Sequence, residues 1–457
     1  MIYFYILGLL CAVFLFGELL LTLFYNKKIQ LIFNVILLTA ILLFFLYLGY
    51  NSYYESFMNL FTIDAFSEFF ILIFTMGVIL INLLYYSFSD DYRELSLLLT
   101  FSIMGMYLVA LSNTLSGIFI GLELMSIPSI FSVLLSKKSL EAATKFFIMA
   151  GVSIALFSFA MALTYGGNNT ILLIQSQYST ILLIGVILFI ISLGFEASIF
   201  PFNVLIPDIY EGAPSYITGL LGGVNKSVGF AALIQILIIV FILFHSAFIV
   251  IAILATFTMF YGNIGALMQK DLKRMMAYSS ISQAGYMLIG IAAATVYGVS
   301  GTLFQILAHM FIFIGLFAIL SVLERMNLKT IDDVAGLSNK NPFISIAFVL
   351  FMLSLVGLPF TTGFVGKLLI FLSAISAGIG ILAVLGILNS IISLYYYLKI
   401  VLSIYSKDQK KKYIIVPNTA LIVIILCLGI TIFFGIYPQI ALGLINNAAN
   451  YLFKIFI

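Results

Sequence analysis

The stretch IQLIFNVILLTAILLFFLYLGY, residues 29–50, decides the fold. Its apolar residues leave no face polar, whether the run is wound as a helix or drawn out as a strand. A barrel strand would alternate apolar and polar positions, so this run reads as a helix. At 1.5 Å per residue, about 20 such residues cross about 30 Å of hydrocarbon.

Comparable runs recur from Tyr3 to the C-terminus of the 457-residue chain, which is 64% hydrophobic and only 8% charged. Its mean hydropathy is +1.25. No single aqueous core could hide that much apolar surface, so the surrounding solvent must be lipid. Polar interruptions divide the chain into about fourteen predicted helices near 3–25, 29–50, 66–88, 95–111, 113–135, 142–165, 180–205, 214–241, 243–268, 275–297, 300–323, 343–376, 377–404 and 413–440. Basic residues fall in alternate loops, at Lys27 and Lys28, Arg93, Lys137 and Lys138, Lys270 to Arg274, Arg325 to Lys340 and Lys407 to Lys412. Loop seven, with Asp208 and Glu211, is the one odd loop without a basic residue, and the pattern resumes in phase after it. The alternation predicts basic loops on the cytoplasmic side of a prokaryotic cell membrane and both termini outside. Lys27 and Lys28 follow the first run, and no basic segment precedes it, so that run is expected to be retained.

The seventh predicted helix is interrupted at Pro201, and the twelfth contains Gly357, Pro359, Gly363 and Gly366. Both read as broken helices, and they lie five spans apart. That spacing predicts an all-α membrane protein with two inverted five-helix repeats. The expected organisation is a three-helix segment at 1–94, a first repeat at 95–241, a second at 242–404 and a C-terminal helix with tail at 405–457.

An ionisable group at the bilayer centre costs on the order of 2.5–3.5 kcal/mol, so those present are expected to face a wet interior. Glu123 lies mid-helix in GLELMSIP, Glu196 in LGFEASIFPF, Lys226 in LLGGVNKSVGF, and Lys367 follows the broken segment GLPFTTGFVGK. A buried ammonium loses its charge readily and regains it beside a carboxylate, so such groups in pairs suit a proton switch. A structural ion pair between helices is the alternative for each. Lys145 lies near a helix start with Glu141 one turn away, which suits snorkelling as well as relay. His309, in QILAHMFIF, suits either a relay or a satisfied core position. Glu18 and Glu68 read as interfacial or helix–helix contacts.

The two cysteines, Cys11 and Cys427, are far apart, and no Cys-x-x-Cys or clustered His/Cys spacing is present. No metal, haem or iron–sulfur site is expected in this chain. No phosphate-binding glycine loop or dinucleotide fingerprint occurs, and the net charge of +3 gives no reason to expect nucleic acid.

The segments GLELMSIP, SLEAATKFF, PDIYEGAP, GNIGALMQKDLKRMMAYSSISQAGY, LSLVGLPFTTGFVGK and NSIISLYYYLKIV resemble, in order and over most of the chain, the N subunit of NADH:quinone oxidoreductase. That subunit is the counterpart of mitochondrial NADH dehydrogenase subunit 2, within the antiporter-like family. The resemblance implies a non-redox, proton-translocating subunit of a respiratory complex I-type enzyme. Other membrane-arm subunits would be its partners, with quinone, flavin and iron–sulfur clusters handled by partner chains. It implies relay roles for Glu123, Lys145, Lys226 and Lys367, and places Lys273 in the matching LKR segment; Glu196 and His309 complete the candidate set. Glu196 departs from the family, which usually shows lysine there, and Asn203 and Leu205 replace the usual His and Trp. The usual carboxylate–lysine switch cannot form at that position, so either Lys145 or Lys226 pairs with the carboxylates or this half works differently. Rival readings are a subunit of a cation/proton antiporter or energy-converting hydrogenase, and a non-conducting scaffold.

Overall fold

The computed structural model describes residues 2–50, 54–135, 139–173, 179–241, 245–406 and 415–454, which are helical almost throughout. The first half holds α1 (Ile2–Leu23), α2 (Lys27–Tyr50), α3 (Ala65–Phe88), α4 (Tyr92–Leu111), α5 (Leu115–Leu134), α6 (Leu140–Asn168) and α7 (Thr180–Glu196). Two short helices, α8 (Ile206–Gly212) and α9 (Ser215–Gly219), precede a π-helical stretch at Leu220–Asn225 that runs directly into α10 (Lys226–Phe241). The remainder comprises α11 (His245–Leu267), α12 (Leu272–Ala292), α13 (Val296–Arg325), α14 (Leu337–Lys340), α15 (Pro342–Val356), α16 (Thr362–Ser376), α17 (Gly380–Ile404), α18 (Asn418–Ile436) and α19 (Pro438–Lys454). Eleven helices among the described residues are long and apolar enough to cross a membrane, and α7, α15 and α16 are shorter apolar helices.

Local chemistry sets many of the helix starts. Thr114, Ser179, Asp271, Thr295 and Asn341 each accept a hydrogen bond from the backbone N–H three residues on, satisfying a donor that the first turn leaves free. Asp64 and Ser67 cap α3 reciprocally, each accepting from the other's backbone N–H at 2.8 Å. Gly357 ends α15 at φ +101°, a left-handed conformation that costs glycine nothing, and the Leu358 N–H turns back to Leu353 O at 3.0 Å.

The two anticipated interruptions are present. α7 stops at Glu196, and a turn containing a cis Phe200–Pro201 bond leads to α8. α15 stops at Val356, and α16 starts at Thr362. The eighth predicted helix is also irregular, being built from α9, the π-helical stretch and α10, which its sequence does not announce. The last predicted helix, 413–440, ends instead at Ile436, and the expected tail forms α19. α19 buries Ala441, Ile445, Ala448, Ala449 and Leu452 on one face while Asn446, Asn447 and Asn450 take other positions, the pattern of a helix lying along an interface.

Contacts divide the chain into two compact units. The first consists of Met1–Ala197, Val224–Ala247 and Gly443–Ile457, and the second of Ser198–Gly223 and Phe248–Leu442. In the first unit, a hairpin of β1 (Glu55–Phe57) and β2 (Phe61–Ile63) in loop two joins loops four and six. Asn113 N–H donates to Leu60 O at 2.8 Å, and Leu115 N–H to Ile171 O at 2.9 Å. On the odd side, Lys27 Nζ donates to Ser89 O at 2.9 Å, tying loop one to loop three.

In the second unit the odd loops are tied in the same manner. Leu272 N–H donates to Lys329 O at 2.8 Å, and Gly336 N–H to Ser403 O at 3.1 Å, so loops nine and eleven and the end of α17 share one face. Loop eleven is folded by Asp333, whose carboxyl is held below its ordinary range by donors from Thr330 and Lys329. Loop seven joins this face through Arg274, which pairs with Asp208 at 2.8 Å and Glu211 at 2.6 Å. The odd loop lacking basic residues thus supplies acidic partners to its basic neighbour. Within the first unit, single cysteines replacing Lys28 and Asn169 are expected to react with an impermeant maleimide from opposite faces of sealed vesicles; labelling from one face would refute this topology.

Candidate functional site

In the first unit, α5 carries Glu123 and α7 ends on Glu196. Both carboxylates line one cavity with Ser126, Ser153 and Ser192, large enough for about one water molecule. Ser126, one turn beyond Glu123, donates to Glu196 Oε1 at 2.8 Å. Ser153 of α6 and Ser192 of α7 each donate to the other's carbonyl, at 2.9 and 2.8 Å, closing the opposite wall. Ser126 supplies Glu196 with a donor where water is scarce, while Ser153 and Ser192 bind each other's backbone and hold the wall closed.

Lys226 opens α10 and is only 2% exposed. One turn later, Gly229 lets α10 approach the end of α7 so closely that a Cβ there would lie 2.9 Å from Glu196 Cβ. Residues three apart share a helix face, so Lys226 lies on the face of α10 that packs against the Glu196 end of α7. Asn225, the last residue of the π-helical stretch, donates to Ser129 Oγ of α5 at 2.8 Å. Single π-helical turns often mark functional positions, and this one sets the rotation at which Lys226 enters α10. Lys145 takes a different position: its ammonium pairs at 2.7 Å with Glu141, whose side chain is 82% exposed, near the start of α6.

In the second unit, Lys367 is 4% exposed and its seat follows from the helix break. Ending α15 at Gly357 frees carbonyls of its last turn, and Lys367 Nζ donates to Leu355 O at 2.8 Å and Val356 O at 3.0 Å. It also reaches Ser390 Oγ at 3.4 Å and lies 4.3 Å from the Tyr286 ring centroid. A helix C-terminus carries partial negative charge, so carbonyls and dipole act together on the ammonium. Hydrogen bonds to a charged group contribute about 1.5–3 kcal/mol each, so two offset an insertion cost of about 2.5–3.5 kcal/mol.

A polar ladder continues from this seat. Gln283 Nε2 donates to the same Leu355 carbonyl at 3.1 Å, and Gln305 Nε2 donates to Gln283 Oε1 at 3.1 Å. His309 lies one turn along α13 from Gln305, stacked on Phe313, with Nε2 3.4 Å from Ser280 Oγ. A second branch joins Tyr286 to Asn263 at 3.5 Å, and Asn263 to Asn389 and Tyr396.

Lys273 sits at the odd-loop face. Its Nζ donates to Glu324 Oε1 at 2.9 Å and to Ala213 O at 2.8 Å, while Ser215 N–H donates to Glu324 Oε2 at 2.8 Å. This fixes the junction of α8 and α9. Sequence reasoning named the charges but missed Ser126, Gln283, Gln305, Tyr286 and Glu324. The spacing of Gln305 and His309, and of Ser280 and Gln283, was the available signal, since each pair shares a helix face.

Residues 112–393 match the family model described as NADH:quinone oxidoreductase/Mrp antiporter, TM. NADH-quinone oxidoreductase subunit N of Trichlorobacter lovleyi is 36% identical over 384 residues, 80% of this chain and 79% of that one. The subunit N of Heliobacterium modesticaldum is 35% identical over 91% of both chains. A chain of respiratory complex I from Thermus thermophilus, solved with bound aureothin, superposes with a TM-score of 0.85 at 27% identity, covering 95% of this chain and 98% of that one. The ordered motifs, the broken helices and these likenesses agree: the chain belongs to the subunit N family of NADH-quinone oxidoreductases, within the proton antiporter-like membrane proteins.

Proposed function

We propose that this protein is a non-redox membrane-arm subunit of an NADH-quinone oxidoreductase that moves protons while partner subunits pass electrons to quinone. The observation that carries this reading is the seat of Lys367, a buried ammonium held by carbonyls that exist as acceptors only because α15 is broken. A helix break that serves packing alone has no need of a lysine. Flavin and iron–sulfur clusters belong to partner chains, and the chemistry of this chain is proton binding and release.

The proposed relay uses Glu123, Glu196 and Lys226 in the first unit and His309 and Lys367 in the second, with Lys145 and Lys273 near the odd-loop face. Two carboxylates on one cavity repel each other, so a lysine or a proton must stand with them. Lys226 is suited to that role. The two broken helices belong to two five-helix repeats of inverted sense, 95–241 and 242–404, flanked by 1–94 and 405–457. The basic loops face the cytoplasm, so a cysteine at Lys28 is the one labelled from inside.

Lys226→Ala, in the complex reconstituted into vesicles, is expected to lower redox-linked proton uptake about 100-fold or more, the scale of losing a positioned proton carrier, while the complex still assembles. Undiminished uptake would retire Lys226 as a carrier. The family model also names Mrp antiporters, which favours a second reading as a cation/proton antiporter subunit. Purification with quinone-oxidoreductase core subunits supports the first reading, and purification with antiporter subunits alone supports the second.

A further inference from the structure

Glu18 lies outside the proposed relay, on α1, and is fully buried. Gln30 and Asn34 of α2 and Ser96 of α4 surround it. Glu18 Oε1 accepts from Gln30 Nε2 at 2.5 Å and from Ser96 Oγ at 2.6 Å, and Asn34 Nδ2 donates to Ser96 Oγ at 2.6 Å. Each of the three donor atoms makes one of these bonds. Three acceptors, Glu18 Oε2, Gln30 Oε1 and Asn34 Oδ1, are buried with no hydrogen-bond partner.

No cation closes this network. Glu18 takes part in no ion pair among the described residues. The nearby basic groups point elsewhere: Lys27 Nζ binds Ser89 O and lies 5.0 Å from the Tyr86 ring centroid and 5.6 Å from that of Tyr92, and Arg93 pairs with Glu94 at 2.7 Å. The Tyr92 hydroxyl donates to Asn82 at 2.7 Å. Turning either amide by 180° exchanges its oxygen and nitrogen but adds no donor. An ionised carboxylate would keep its two bonds at Oε1 but leave Oε2 and two amide oxygens without a donor and its charge without a cation, a costly arrangement in a dry interior. One hydrogen atom on Oε2 removes the charge and supplies the missing donor to an amide oxygen.

We infer that Glu18 is a proton-binding site separate from the relay, a carboxylic acid whose bound proton joins α1 to α2 and α4. The site lies at the odd-loop end of these helices, since Gln30 and Ser96 stand within the first turns of α2 and α4. Its ligand is a proton rather than a metal cation, because a proton completes the network without needing room for a coordination shell.

Infrared spectra of the purified complex at neutral pH, wild type minus Glu18→Gln, test this. The expected difference is a single carboxylic-acid carbonyl band that shifts in deuterium oxide. Carboxylate stretching bands in its place would overturn the inference. A second measurement needs no variant: thermal unfolding of the wild-type complex is expected at the same temperature in sodium and choline chloride of equal ionic strength. If sodium stabilises the complex and Glu18→Gln removes that effect, the site binds a metal cation and the proton assignment is wrong. Proton pumping by Glu18→Gln is expected to continue, which separates failure here from failure of the relay.

Discussion

Lys367→Ala is expected to depress redox-linked proton uptake to near background. The ammonium is bonded to both freed carbonyls of α15, and it shares the Leu355 carbonyl with Gln283, the first rung of the ladder toward His309. Removing it takes away a carrier and the junction between its two neighbours. Loss of a positioned proton-transfer group costs about 100-fold or more, so uptake should fall to near background. The complex should still assemble, because waters can enter the vacated space and bond the two carbonyls. Proton uptake and quinone reduction in the same vesicles check this: normal uptake per electron would remove Lys367 from the relay, whatever the overall rate.

Glu196→Gln is expected to stop pumping, and Glu196→Lys to preserve much of it. Gln keeps the hydrogen bond from Ser126 but cannot carry a proton, so any carrier role ends while the cavity keeps its shape. Lysine at 196 would stand opposite Glu123 in the same cavity and give the carboxylate an ammonium partner. The two carboxylates are close enough to share that cavity, where like charges interact strongly because the effective dielectric is low. A lysine there exchanges that repulsion for attraction. If both variants pump like wild type, Glu196 carries no proton and the cavity serves packing. If Glu196→Lys is inactive while Glu196→Gln is active, the carboxylate pair is the wrong frame altogether.

The charged candidates and the tertiary structure sort in an instructive way. Glu123, Glu196, Lys226 and Lys367 stood out because a charge in a long apolar run has one common explanation. Lys145 was set apart by its place near a helix start, and it does pair with the exposed Glu141, four residues away on its own helix. Sequence distance along a helix shows which groups can meet within it, whereas contacts across helices depend on rotation about each axis. The π-helical stretch before Lys226 changes that rotation, and nothing in LLGGVN requires it.

Sequence alone determined the solvent, the helical class, the alternation of loops and both helix breaks, because each depends on local quantities. Run length against bilayer thickness, basic residues per loop, and Pro and Gly at set positions need no knowledge of neighbours. Tertiary structure alone decided which helix presents which partner. It placed Ser126 on Glu196, Gln283 and Gln305 between Lys367 and His309, and Glu324 on Lys273. It also gathered Gln30, Asn34 and Ser96 around Glu18. Most of those side chains are neutral and of common types, so their composition gives no signal. Their chemistry arises only when packing removes water and leaves each polar atom to find a partner among the few groups that remain.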